Sequence, residues 1–148
     1  IFLELKKLEE ILKQDDSELL EFLFTEEILH ERSGYASKKK ILYLEDKKLK
    51  INFNYYCVSK KNSEKSLRNI NKFFNFINTS EKIKNSIIPV KLNPGEAVFW
   101  KDSEILHGRN GFVPKIKGRE PQHRYRDDFF SCCPCAGFEY SSGLTGGI

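Results

Sequence analysis

The chain has 148 residues with 31% charged side chains and a net charge of +4. That length buries the core of one domain, and the even spread of lysines gives modest basicity that suits anionic small molecules and argues against nucleic-acid binding. No apolar run approaches a membrane span and no secretory leader is visible, so membrane partners are not expected and a cytoplasmic location is the default.

Leu3 to Leu12 places Leu5, Leu8, Ile11 and Leu12 on one stripe, which predicts an amphipathic helix. Asp15-Asp16-Ser17-Glu18 can cap a second helix through Leu19, Leu20, Leu23 and Phe24. His30 follows in Leu29-His30-Glu31-Arg32, where it reads as a surface residue near a helix C-terminus. Lys38-Lys39-Lys40 reads as a solvated loop beside Ser33-Gly34. Ile41 to Leu44 and Leu49 to Tyr55 alternate with period two around the polar Glu45 to Lys48, which predicts a hairpin. Cys57, among apolar and aromatic neighbours, reads as a small core residue. Ser66 to Ile77 is helical in pattern, with Leu67, Ile70, Phe73, Phe74 and Ile77 on its apolar face. Further strands are expected at Ile87 to Leu92, Ala97 to Trp100 and about Gln122 to Phe130.

The stretch from Leu92 to Phe112 carries the chemistry. Asn93-Pro94-Gly95-Glu96 has proline and glycine where the centre of a tight turn needs them. An apolar strand follows, then Ile105-Leu106-His107-Gly108-Arg109, which presents an imidazole from a strand with little bulk beside it. Imidazole is a ligand for iron, and a facial set of two histidines and one carboxylate leaves positions open for other reactants. Taken alone, a histidine at a strand end is more often only a satisfied polar residue.

This string resembles the C-terminal core of iron(II)- and 2-oxoglutarate-dependent oxygenases, within them the clavaminate synthase-like and taurine dioxygenase-like group. Its members carry a Pro-Gly-acidic turn, an apolar strand and Leu-His-Gly-Arg-x-x-Phe. The resemblance implies an α+β fold with a double-stranded β-helix, a jelly-roll-like core flanked by helices and truncated at the N-terminus, over residues 1–131. It makes His107 the distal iron ligand. It also implies an arginine that clamps the far carboxylate of 2-oxoglutarate, for which Arg124 is the first candidate, Arg126 the competitor one alternation away, and Arg119 a third. The cofactor would be iron(II), the cosubstrates 2-oxoglutarate and molecular oxygen, and the substrate a small, polar, amino-acid-like molecule that is hydroxylated or desaturated. Arg109 would position a substrate carboxylate or pair with a nearby acid.

The sequence departs from the pattern in three places. Asp102 stands where many relatives have asparagine, and Glu104 where a basic residue is common. No His-x-Asp or His-x-Glu pair occurs in the chain, although the family places one well upstream of the distal histidine. With Ile1-Phe2-Leu3 at its start and no methionine, the chain reads as part of a longer protein, and alone it is expected to bind iron poorly and to catalyse nothing. Two other classes remain: a non-catalytic cupin-like or jelly-roll-like binding module, and a small basic protein-interaction domain. Cys132, Cys133 and Cys135 are spaced too closely for a structural zinc site, and residues 132–148 read as a flexible or atypical tail.

Overall fold

A computed structural model describes residues 1–108. They form a mixed α/β structure in which strand β1 (Phe2–Glu4) leads into helices α1 (Leu5–Asp15) and α2 (Ser17–Thr25). Strands β2 (Glu27–Arg32), β3 (Tyr35–Lys40), β4 (Leu42–Glu45) and β5 (Lys48–Ile51) come next. Helices α3 (Glu64–Thr79) and α4 (Glu81–Lys84) and strand β6 (Ile105–His107) complete the order. The strands pair in antiparallel twos, β1 with β6, β2 with β3 and β4 with β5. Among the described residues no helix is long and apolar enough to cross a membrane.

The amphipathic stripe of α1 is buried as its spacing predicts, through Leu5, Leu8, Ile11 and Leu12. Its first turn is not where periodicity puts it, because Phe2 to Glu4 are drawn into strand pairing. Phe2 and Ile88 exchange backbone hydrogen bonds of 3.0 and 2.8 Å, while Leu3 lies opposite Leu106 across the β1–β6 ladder. Tertiary pairing overrides local propensity here. Asp16 caps α2 by accepting from the Leu19 amide at 3.2 Å, and its other oxygen holds Lys72 of α3 at 2.5 Å. One residue thus ends α1 through its backbone amide, which donates to the Leu12 carbonyl at 2.8 Å, and through its carboxylate starts α2 and ties it to α3.

The predicted hairpin forms as β4 and β5, with Glu45 opposite Lys48. Asp46 and Lys47 at its tip both have positive φ, 49° and 62°, which the twist of a two-residue turn requires. A second hairpin, β2 and β3, turns on Ser33 and Gly34 at φ 50° and 85°. Lys38, Lys39 and Lys40, expected in a loop, are therefore exposed residues of its outer strand, where charge discourages further pairing.

Helix α3 buries Ile70, Phe73 and Ile77 and is capped by Ser63, whose hydroxyl accepts from the Ser66 amide at 3.1 Å. Its Phe73 meets Phe53 edge-on at 4.9 Å between ring centres. Cys57 is buried, as expected, in a 3-10 turn after β5 instead of in a continued strand. The core joins these helices to β1, β2, β4, β5 and β6 through Leu3, Ile28, Leu42, Ile51 and Leu106.

Replacing Asp16 separates its two roles. Asp16→Ala removes the cap and the Lys72 contact, and loss of an N-cap costs about 0.5–2 kcal/mol. Asp16→Asn keeps the cap acceptor and loses the charge. Urea unfolding is expected to rank wild type above Asp16→Asn and Asp16→Asn above Asp16→Ala.

Candidate functional site around His107

The Asn93 to Glu96 turn closes as its residues predict. The Glu96 amide donates to the Asn93 carbonyl at 3.0 Å, and Gly95 takes φ +90° at the position that favours glycine. The Glu96 carboxylate accepts from the Asn93 amide at 2.7 Å and from its side chain at 3.1 Å. The Asn93 backbone bond, followed by the side-chain bond, lowers the Glu96 pKa.

The segments on either side of this turn differ from expectation. Of Ile87 to Leu92, Ile88 alone pairs, with Phe2. Ala97 to Trp100 is not a buried strand: Phe99 is 92% exposed and Trp100 45%. Apolar composition favours a strand, but a strand also needs a neighbour with open hydrogen-bonding groups. Among the described residues β6 already pairs with β1, and no strand pairs with Ala97 to Trp100.

His107 ends β6, opposite Phe2. The next residue fastens the strand end, since the Gly108 amide donates to the Ile1 carbonyl at 3.1 Å. The imidazole keeps 20% of its surface, yet its Nδ1 is sealed from solvent without a bond of hydrogen-bonding geometry. The Asp102 carboxylate Oδ1 lies 3.5 Å from that nitrogen. Trp100 Nε1 donates to the same oxygen at 3.1 Å, and the Trp100 ring stands 5.0 Å from the imidazole, centre to centre. Phe2 also packs against Trp100, edge-on at 5.2 Å between ring centres. Burial lowers the His107 pKa, and Asp102 opposes that shift.

Glu104 lies one turn before His107, and its partner comes from far along the chain. The Lys50 ammonium of β5, on a side chain 3% exposed, reaches Glu104 Oε1 at 2.5 Å, with Lys101 at 3.1 Å on the same oxygen. Lys50, then Lys101, holds the Glu104 pKa down at about 2, and Glu104 in turn raises that of Lys50. This pair was not foreseen. The sequence carried no signal for it, since Lys50 falls on the polar positions of the β5 alternation with Lys48 and Asn52, and only its burial in the fold calls for a carboxylate.

His30 contradicts its sequence reading. It lies in β2 at 2% exposure, facing inward with Ile28 and bridging to Val58. Strand alternation sends both side chains to one face. Its Nδ1 lies 3.1 Å from the Ile28 carbonyl, and Nε2 is buried without a partner. Beside it the Asn62 side chain completes the β2 edge, accepting from the Leu29 amide at 2.9 Å and donating to the Leu29 carbonyl at 2.8 Å. Glu31 faces the opposite side and takes Lys61 at 2.7 Å and the Ser59 hydroxyl. His30 and Glu31 thus diverge, as expected of strand neighbours.

Among the described residues no three histidine, cysteine, aspartate or glutamate side chains converge to hold a metal. Imidazole is a donor type that iron accepts, but the described residues supply no facial set around His107. Arg109, Arg119, Arg124 and Arg126, the expected strand near Gln122 to Phe130 and the cysteines at 132, 133 and 135 lie outside the described residues. An open depression of about 460 Å³ between α2 and α3, with Glu18, Glu21, Lys65, Arg68 and Lys72 on its walls, shares no residue with the His107 surroundings. Its opposite charges suit a solvated groove. Comparison with protein-family models, with curated proteins and with solved structures finds no match to this chain.

Two outcomes test these environments. Burial holds the His30 pKa below its ordinary 6.5, so as pH falls the folded state takes up this proton later than the unfolded chain does. The contribution of His30 to stability is therefore fully present above about pH 6.5 and is lost as pH falls below it. His30→Leu is expected to shrink that acid decline in unfolding experiments, and an unchanged pH profile would contradict the assigned environment. Glu104→Gln leaves the buried Lys50 ammonium with only the Glu45 carboxylate at 3.8 Å, whereas Lys50→Met removes the buried charge itself. Thermal melting is expected to show Glu104→Gln as the more destabilising of the two.

Proposed function

We propose that this chain carries the distal-histidine half of an iron(II)- and 2-oxoglutarate-dependent oxygenase built on a double-stranded β-helix. The observation that supports this reading best is the setting of His107. A tight Asn93-Pro94-Gly95-Glu96 turn, an apolar segment and a strand-end imidazole followed by glycine occur in the order the resemblance implies. The imidazole is fastened by β1 and flanked by a carboxylate.

In the proposed enzyme His107 is one of the three protein ligands to iron, and a His-x-Asp or His-x-Glu strand supplies the others. Iron(II), when bound, supplies the activation of oxygen that couples 2-oxoglutarate decarboxylation to attack on a C–H bond. The chain's own contribution is placement. Its β1–β6 ladder fixes the imidazole, Trp100 covers one side of the ring, and Arg124 or Arg126 grips the far carboxylate of 2-oxoglutarate in a two-pronged pair. The substrate is a small polar acid of amino-acid type, whose charge suits the chain's basicity.

The test is 2-oxoglutarate turnover. The chain by itself is expected to form no succinate, because one imidazole gives neither ligand count nor rigidity. Joined to the strand with the missing ligand pair, it is expected to form succinate, and His107→Ala to abolish it. Arg124→Ala is expected to raise the apparent KM for 2-oxoglutarate by an amount equivalent to about 2–5 kcal/mol, with Arg126→Ala far milder. The reverse order would move the clamp to Arg126. Succinate formation by the chain alone, or none by the joined protein, would overturn the reading, the latter in favour of a non-catalytic jelly-roll-like module.

A further inference from the structure

We propose that Asp102 is a positioning residue for His107, holding the imidazole as its Nδ1–H tautomer so that Nε2 is the lone pair the ring presents. Where the ring serves a metal, this inference rests on the reading above; the tautomer itself does not depend on it.

Three observations converge. His107 Nδ1 is sealed from solvent, and the acceptor beside it is Asp102 Oδ1 at 3.5 Å. A carboxylate facing a pyridine-like nitrogen sets two lone pairs against each other, while the same carboxylate facing an N–H attracts it. The shielded nitrogen is therefore the protonated one. Nε2 differs, being neither sealed from solvent nor hydrogen-bonded among the described residues.

The second observation is that Asp102 is itself held. Trp100 Nε1 donates at 3.1 Å to the same Oδ1 that faces His107, so the oxygen cannot swing away without breaking that bond. Third, the Trp100 ring lies 5.0 Å from the imidazole and against Phe2, which limits rotation of the imidazole out of line. Carboxylate, indole and imidazole thus form one arrangement within eight residues of sequence. A histidine that ligates through one nitrogen is ordinarily fixed in tautomer by a hydrogen bond at the other, and a carboxylate there also raises ligand basicity. Aspartate at position 102, a departure from the pattern the chain otherwise resembles, acquires a reason in this contact.

The experiment is nitrogen-15 NMR of the His107 ring in the purified chain, well above the pH at which imidazole titrates. Wild type is expected to show the Nδ1–H form as the majority. In Asp102→Ala the majority is expected to switch to Nε2–H, the form that a free neutral imidazole side chain prefers. Asp102→Asn is expected to retain Nδ1–H, because the Trp100 indole keeps an amide oxygen in the carboxylate's place. A purely structural role for Asp102 would leave the tautomer unmoved. An Nε2–H majority in wild type overturns the proposal without any variant needing to fold, and Nδ1–H persisting in a folded Asp102→Ala overturns it equally. Titration with Mn(II) in the same samples separates the two readings. Because one imidazole binds metal weakly, Mn(II) is added in large excess: broadening that reaches the His107 Nε2 signal before the His30 ring signals supports the metal role, and the expected tautomer switch without that preference removes this support and leaves the positioning role standing.

Discussion

The arrangement around His107 depends on the antiparallel pairing of β1 with β6. Three residues at each end of a segment of more than one hundred are brought together, with Leu3 opposite Leu106 and both fully buried. Truncating either leucine would cost about 2–5 kcal/mol if the cavity stays open. The same short strand bonds to Ile88 on its other side and runs directly into α1. It therefore links the helical layer to both flanks of the Asn93 to Glu96 turn. Phe2 carries the link into the site, because its ring supports Trp100, and Trp100 contacts both His107 and Asp102.

Electrostatics makes the same connection by another route. Lys50 is buried in β5 and needs a carboxylate, and Glu104 supplies it from the turn that precedes β6. A basic residue at position 104 would set two cations together beside Lys50. The acidic residue there, a departure from the resembled pattern, is thus explained by this chain's own packing. The pair also holds the 102–104 turn against β5, which keeps Asp102 within reach of His107. Leaving either member without the other would weaken both the core edge and the placement of the candidate site.

The most legible parts of this fold are those specified by near neighbours. Leu5, Leu8, Ile11 and Leu12 give α1 its buried face, Asp16 its boundary with α2, and Pro94-Gly95 the turn before the candidate site. The least legible parts depend on partners distant in sequence. Nothing local marks Phe2 to Glu4 as a strand, since their pattern continues into that of α1. His30 sits among charged and apolar residues that fit a helix end as readily as a strand, and its burial follows from pairing across to Val58. Ala97 to Trp100 has a strand's composition without a pairing strand among the described residues. At the site, His107 was legible as a residue type in a motif. Its environment was not, because Phe2 and Lys50, which fix it, are remote in sequence.

Native-state hydrogen exchange tests the dependence on β1 most directly. The Phe2, Ile88 and Gly108 amides donate across the junction of β1 with its two neighbours. These three amides are expected to exchange only through an opening as costly as that of the core helices, and to lose protection together in Leu3→Ala. The Phe99 amide, on an exposed residue outside any strand, is expected to exchange far faster. A Gly108 amide exchanging as freely as that of Phe99, or protection at Gly108 unchanged by Leu3→Ala, would contradict the claim that β1 holds His107 in place.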